Sequence, residues 1–401
     1  MNEIQERPRG RDDPLMSRVT SPRVWLLLGD RQGDNAQVLA LGRSLGHELG
    51  SPPEIKRIRY DPNCNVRYGA RGASLIGVDV ARSDTLEPPW PDIVIAIGRR
   101  AAPVSRWLKR QTGGRLLNVH LGRPRSAYAH FDLLVTTPQY GLPAAPNVIM
   151  LSLPIISHDE AKLEAEAKLW GPRLAHCARP WTAVFIGGST SQLRFDREVG
   201  ADFLARAKRH VAERGTLLVT TSPRTDPEIA AMLEAELGSA HFLHSWAPDA
   251  LNPYQALLRL ADGFIVTNDS VSMIAEAADM EKPLYVFELP RREKPRHTNL
   301  FQAVRQNFRS RREHRLIAGI PPDLADRAYD GLTRIGWARP RRSIAVVDRK
   351  LYDDGLARPL PSIGEQNEPR PWSHRRLPKE ERDLVVARIH ACYAAKRAQG
   401  R

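Results

Sequence analysis

Three short stretches place polar residues just after an apolar run, which is where an open α/β sheet presents its ligands. Thr267-Asn-Asp-Ser-Val-Ser-Met-Ile-Ala-Glu-Ala-Ala278 follows the apolar run from Gly263. Its pattern predicts a helix opening on Asp269, Ser270 and Ser272, whose free backbone N–H groups and hydroxyls make an anion site. Glu276 lies two turns further on, roughly on the face of Asp269, so the pair suits a phosphate at the tip and a sugar hydroxyl deeper in. Phe185-Ile-Gly-Gly-Ser-Thr-Ser-Gln192 is a matching strand-to-turn passage. Gly187 and Gly188 open the backbone, Ser189 and Thr190 offer hydroxyls, and Arg194 follows within reach of a diphosphate. Thr220-Thr-Ser-Pro-Arg-Thr225 sets Arg224 on a short loop, either as a phosphate clamp or as a surface arginine beside a helix start at Pro227.

The first half carries a fourth stretch, Leu28-Gly-Asp-Arg-Gln-Gly-Asp-Asn-Ala36. Gly29 and Gly33 permit a tight turn, but the spacing is not G-x-G-x-x-G, so a dinucleotide fingerprint is not met. Asp34 or Asp30 is a candidate general base with Gly33, Asn35 and Arg99 binding an acceptor. The competing reading has Asp34 as the N-cap of a helix starting at Asn35. His120, in Val119-His-Leu-Gly122, is either a third candidate base or a packed core histidine. Asp-x-Asp, a Walker phosphate loop, Gly-x-Ser-x-Gly and Tyr-x-x-x-Lys are all missing from the sequence. These absences argue against a metal-held donor diphosphate, a P-loop NTPase, an esterase elbow and a short-chain reductase or epimerase, so no metal and no cofactor are expected.

These stretches need a scaffold. The 401 residues suffice for two α/β domains, and no run approaches the roughly 18 apolar residues of a membrane helix. Strand-length apolar runs alternate with helical patterns, which predicts parallel sheets. Strands are expected at 23–29, 55–59, 92–98, 115–119, 132–136 and 147–150, then at 181–187, 216–221, 240–243, 263–267 and 283–287. The helix 35–49 is expected to bury Ala36, Leu39, Ala40 and Leu45. The organisation that follows is a disordered arm (1–22, polar and unlike a signal peptide), a first Rossmann-like domain (23–156, acceptor side) and a linker helix (157–178). A second Rossmann-like domain (179–300, donor side) comes next, and then a basic extension (301–401) whose final helix returns to the first domain. The fold class is therefore α/β, two Rossmann-like domains facing across a cleft.

The chain carries a net charge of +14, with 60 basic against 46 acidic residues, and the excess thickens between Arg291 and Arg342. Such a surface attracts phosphate substrates, an anionic membrane surface or nucleic acid, or it is simply an arginine-rich solvated face. Nucleic acid fits the charge alone, with no zinc finger or stacking-aromatic signature beside it. Cys64, Cys177 and Cys392 are far apart, which fits a reducing, cytoplasmic setting.

Together, Gly29-Asp-Arg-Gln-Gly-Asp-Asn-Ala-Gln37, Ile186-Gly-Gly-Ser189, Thr220-Thr-Ser-Pro-Arg-Thr225 and Thr267-Asn-Asp-Ser-Val-Ser-Met-Ile-Ala-Glu-Ala277 resemble the "elongated mitochondria" (mitochondrial fission) family over about residues 23–301. The resemblance implies a GT-B architecture with the nucleotide-sugar donor in the C-terminal domain. It also implies one of two roles: a metal-independent glycosyltransferase acting on a cell-envelope glycan or lipid-linked acceptor, or a non-catalytic adaptor on a membrane surface. In the first role Ser189, Thr190, Arg194, Arg224, Ser270 and Ser272 hold the donor diphosphate. Glu276 then takes the ribose, and Asp34, Asp30 or His120 the acceptor proton. The last hundred residues carry no matching motif.

Overall fold

In a computed structural model that describes residues 21–66, 70–211, 215–292, 300–362 and 377–399, the apolar runs form two six-stranded sheets with every pairing parallel. The first sheet contains β1 (Val24–Leu28), β2 (Glu54–Arg57), β3 (Ile93–Ile97), β4 (Leu117–Leu121), β5 (Leu133–Thr136) and β6 (Val148–Met150), in the order β2-β1-β3-β4-β5-β6. The central strands read Val-Trp-Leu-Leu-Leu and Ile-Val-Ile-Ala-Ile. This unbroken apolarity belongs to a sheet covered on both faces. Helix α1 (Gln32–Leu49) follows β1 and α2 (Gly98–Gln111) follows β3. The arm expected at 1–22 falls, but for its last two residues, outside the described residues.

The second sheet contains β7 (Trp181–Phe185), β8 (Thr216–Thr220), β9 (Phe242–His244), β10 (Gly263–Thr267), β11 (Leu284–Phe287) and β12 (Arg358–Pro359), in the order β12-β11-β10-β7-β8-β9. Its helices are α4 (Arg197–Val211), α5 (Pro227–Glu236), α6 (Tyr254–Leu260) and α7 (Val271–Ala278). The linker helix α3 (Glu160–Leu174) packs on α6 and buries Leu163, Ala167, Trp170 and Leu174.

Both sheets are doubly wound, so each has one place where the strand order reverses. In the first it lies between β1 and β3, and in the second between β7 and β10. At such a point the connections leave in opposite directions and open a crevice at the strands' carboxyl ends. The polar stretches after β1, β7 and β10 open at these two crevices.

One sequence expectation is corrected. Helix α1 opens at Gln32, three residues before Asn35, and it buries Val38, Ala40, Leu41, Gly42 and Leu45, while Ala36 is exposed. The contact is centred by Gly42, where an added Cβ would overlap the Leu26 side chain, so α1 meets β1 closest there. The basic extension expected after residue 300 is largely helical. It forms α8 (Leu300–Ile317), α9 (Leu324–Arg334), α10 (Ala345–Asp353) and α11 (Leu377–Gln399). Ile344, Val347, Leu351, Leu356 and Leu360 join the second core and β12 extends its sheet, whereas Val385, Val386 and Ile389 of α11 are buried in the first core. Prolines at 340, 359 and 361 interrupt the periodicity there, which hides the short α10 and the two-residue β12 from pattern reading. Among the described residues no helix is long and apolar enough to cross a membrane.

Candidate functional site

The first crevice is a cavity of about 220 Å³ lined by Gly29 to Arg31, Asp34, Asn35, Tyr60, Ile97 to Ala101, Arg123, Arg125, Tyr140 and Arg342. Six of these residues are arginines (31, 99, 100, 123, 125 and 342) against two carboxylates. Asp30 is ion-paired with Arg100 (3.0 Å) and lies 3.6 Å from Arg59. Asp34 is half-buried in the first turn of α1, and so is not the helix cap. The N-cap position falls to Arg31. Burial raises the Asp34 pKa against the opposing pull of Arg31, Arg342 and Arg100. Its Oδ2 stands over the start of α2, 3.8 Å from where a Cβ on Gly98 would lie. Of the three candidate bases, Asp34 is the carboxylate whose pKa burial raises, which suits a general base.

Asn35 and His120 have structural duties. The Asn35 amide accepts from Gly29 N–H and donates to Gly29 C=O, each at 2.9 Å, and so pins the turn after β1. His120 is fully buried in β4 against the Phe131 ring, and burial drives its pKa down to about 3. Its burial beside Phe131 favours the packed-histidine reading.

The second crevice is built around Asp269. Its carboxylate is buried at the end of β10 and accepts from Gly188 N–H (3.0 Å) and the Thr267 hydroxyl (2.7 Å), with Arg224 at 2.8 Å. Burial raises its pKa, opposed first by Arg224. The Gly-Gly pair lets this carboxylate in, because a Cβ on Gly187 would overlap the Asp269 carboxylate and one on Gly188 would overlap the Arg224 carbonyl. Asp269 thus holds the guanidinium at the crevice mouth, about half exposed, with most of its five donors unspent on this pair.

Other residues expected at the donor diphosphate are engaged elsewhere. Ser189 Oγ accepts from Phe195 N–H and donates to Phe195 C=O, and Thr190 Oγ1 accepts from the N–H groups of Gln192 and Leu193. Both hydroxyls shape the loop. Arg194 spends its charge on Asp196 (2.9 Å) and Glu198 (3.6 Å). Ser270 is the N-cap residue of α7 yet makes no capping bond with its side chain, and both Ser270 and Ser272 are partly exposed. The Ser272 hydroxyl lies 3.6 Å from a Cβ position on Gly33, so the N-terminal turns of α7 and α1 meet across the cleft. Glu276 is half-buried and accepts from the Tyr254 hydroxyl at 2.8 Å, and burial raises its pKa. Its Oε1 is not used in that bond.

A second cavity, of about 770 Å³, adjoins the first through the shared wall residue Arg342. It is lined by Ser191 to Leu193, Asn268, Glu288 to Arg292 and residues of the C-terminal segment, including Glu313 and Asp348. Neither cavity wall includes Ser189, Thr190, Arg194, Arg224, Ser270, Ser272 or Glu276. Asp348, on α10, is buried, accepts from Asn268 Nδ2 at 2.8 Å and has its pKa raised to about 7 by burial. Sequence reading missed Arg123, Arg125, Tyr140, Arg342 and Asp348. Arg123 and Arg125 follow the end of β4 and were legible as strand-end residues, but Arg342 and Asp348 reach the site only through tertiary packing. Among the described residues, no group of three or more His, Cys, Asp or Glu is arranged to hold a metal ion.

The chain is similar in sequence to known proteins. A family model described as "Mitochondrial fission ELM1" matches residues 32–321. The chain is similar to the mitochondrial fission protein ELM1 of Arabidopsis thaliana, 28% identical over 233 residues that cover 52% of this chain and 54% of that protein. It thus spans about half the length of that relative. It is also similar to the uncharacterized protein RP120 of Rickettsia prowazekii (strain Madrid E), 24% identical over 304 residues, or 67% of this chain and 83% of that one. Among solved structures, Arabidopsis thaliana UGT89C1 complexed with UDP aligns at a TM-score of 0.40 and 13% identity, covering 92% of this chain and 99% of that chain. UDP-GlcNAc 2-epimerase from Neisseria meningitidis bound to UDP-GlcNAc aligns at 0.39 and 13%, covering 82% and 98%. At these scores the likeness is loose, and the two-domain GT-B-like fold rests on the strand orders given above.

Proposed function

The chain belongs to the mitochondrial fission ELM1 family, and from that premise we propose that it is a metal-independent glycosyltransferase of the GT-B kind. In this reading it moves a sugar from a nucleotide-diphosphate donor to a cell-envelope glycan or lipid-linked acceptor. One observation carries the reading: two doubly wound sheets turn their switch points toward each other, and both are equipped for anions. The first offers six arginines around Asp34, and the second offers Arg224 fixed on Asp269 beside the N-terminus of α7. Phosphate favours such a helix start, and a preorganised guanidinium stabilises the charge that grows on a departing diphosphate.

The roles divide between the domains. The diphosphate lies against Arg224, Ser270, Ser272 and the N–H groups opening α7. Ser189, Thr190 and Arg194 support that loop. Glu276 Oε1 is the acceptor left for a ribose hydroxyl. Asp34 takes the acceptor's proton, since a carboxylate raised by burial is a better base than one in an ion pair such as Asp30. Residues 23–156 form the acceptor side and 179–300, completed by 344–360, the donor side, with catalysis in the cytoplasm or at its membrane face.

Isothermal calorimetry of the full chain against UDP, GDP, ADP and CMP, each with magnesium and with chelator, tests the reading. One nucleotide is expected to bind equally well in both conditions, and Arg224→Ala and Glu276→Ala are each expected to weaken it at least tenfold. Failure of every nucleotide at millimolar concentration refutes the transferase and leaves the adaptor role.

A further inference from the structure

Helix α9 is inverted with respect to solvent. Its polar side faces inward: Asp326 and Thr333 are buried, and Asp326 and Asp330 pair with the buried Arg312 of α8, while Arg315 reaches Asp326 at 3.3 Å. Tyr329 packs beside them under the Arg312 guanidinium. The capping box of Asp323 and Asp326 fixes where the helix starts, and with it which side faces α8. At about 100° per residue, the opposite side gathers Leu324, Ala328, Leu332 and the C-cap residue Ile335 into one apolar stripe. That stripe lies in the open: Leu324 is 83% exposed, Ile335 56% and Leu332 44%, and Trp337, at the helix end, is 81% exposed. Burying such side chains is what a water-facing helix ordinarily does, so an outward stripe marks an interaction surface.

The charge around it selects the partner. Arg327 and Arg334 on α9 and Arg339 just after it are exposed. The carboxylates of the same segment, Asp323, Asp326, Asp330 and Glu313, are all paired with arginines: Arg311 and Arg315, Arg312, and Arg291. The outward face is therefore cationic with an apolar centre and a tryptophan at its edge. A second copy of the chain would set these arginines against their equivalents, which is unfavourable. An anionic lipid surface satisfies all three features at once, because acyl boundary takes the leucines, headgroups take the arginines and tryptophan favours the interface between them.

We propose that the face of Leu324, Leu332, Ile335 and Trp337 docks the protein on an anionic membrane surface. The surface stands independently of the chemistry proposed above.

Sedimentation of the full chain with vesicles tests it, using phosphatidylglycerol mixed with phosphatidylcholine against pure phosphatidylcholine, at low and high salt. The wild type is expected to pellet with the anionic vesicles and to retain part of that binding in high salt, since the apolar contact is not screened. The triple variant Leu324→Ser, Leu332→Ser, Trp337→Ser is expected to bind at least tenfold more weakly with a thermal midpoint little changed, because Leu324 and Trp337 are more than four-fifths exposed and Leu332 nearly half. Arg224→Ala, deficient in nucleotide binding, is expected to pellet like the wild type, which separates this proposal from the transferase. Absence of wild-type binding overturns the proposal, as does full binding by the triple variant. A dimer that the triple variant dissolves, without vesicle binding, also overturns it and assigns the face to a protein contact.

Discussion

Arg224→Ala is the most revealing single change, because it leaves a buried carboxylate with the wrong balance. Asp269 is fully buried at its side chain and Arg224 is about half exposed, with the pair at 2.8 Å. Removing one partner of a wholly buried pair costs about 3–5 kcal/mol. The exposure of Arg224 discounts this toward about 2–3 kcal/mol, since water already screens part of the attraction. For a domain of this size, that is a fall in thermal midpoint of roughly 5–10 °C. The sign with pH follows from burial. The folded pKa of Asp269 is raised, so the folded state holds its proton more tightly than the unfolded chain, and stability declines as pH rises through that range. Without Arg224 the pKa rises further and the decline extends to higher pH, so the variant suffers more at pH 8 than at pH 5. Asp269→Asn keeps an oxygen for Gly188 N–H and removes the stranded charge. The double variant Arg224→Ala, Asp269→Asn is therefore expected to recover most of the lost stability while still failing to bind nucleotide. Thermal unfolding of the four proteins of this cycle at both pH values is the assay. A loss below about 0.5 kcal/mol in the single variant at pH 8, or no rescue on adding Asp269→Asn, refutes the claim that Asp269 is an anchor whose charge is balanced by Arg224.

Asp348→Asn is expected to stabilise the protein at pH 8 by up to about 4 kcal/mol and to change little at pH 4. Its carboxyl titrates near 7 when folded, so the wild type loses stability as pH climbs from the unfolded carboxylate range through that value. Chemical denaturation at the two pH values reads the difference. Asp34→Asn is expected to slow sugar transfer about 10²–10⁴-fold while leaving nucleotide affinity within about twofold, as measured by product formation beside calorimetry, because a general base acts only in the chemical step. Ile389→Ala, at a fully buried position of α11, is expected to cost about 2–5 kcal/mol and to loosen α11 from the first domain, which hydrogen exchange in Val385 to Ile389 reports.

Some features were legible in the residue order because they depend on near neighbours. Alternating apolar runs and helical patterns mark the parallel strands, and polar residues after each run mark the sheet edge where ligands gather. The family was legible for the same reason, since each of its four motifs is a short run of consecutive residues. Side-chain duties were not. Ser189, Thr190, Asn35 and His120 are all polar residues beside a strand, and nothing in their order says that three of them bind their own backbone and the fourth is sealed against Phe131. The glycines of 187–188 look like room for a phosphate, yet they make room for Asp269, which stands 81 residues beyond Gly188.

The sequence alone determined the two-sheet α/β plan and the stretches at its switch points, because strand and helix periods and strand-end turns are local properties of the chain. Only the tertiary structure decided which charges share a site. Arg342 joins two cavities, Asp348 meets Asn268, and α9 turns its apolar side to solvent, because each outcome rests on which distant carboxylate or guanidinium is already in place when the chain closes over it.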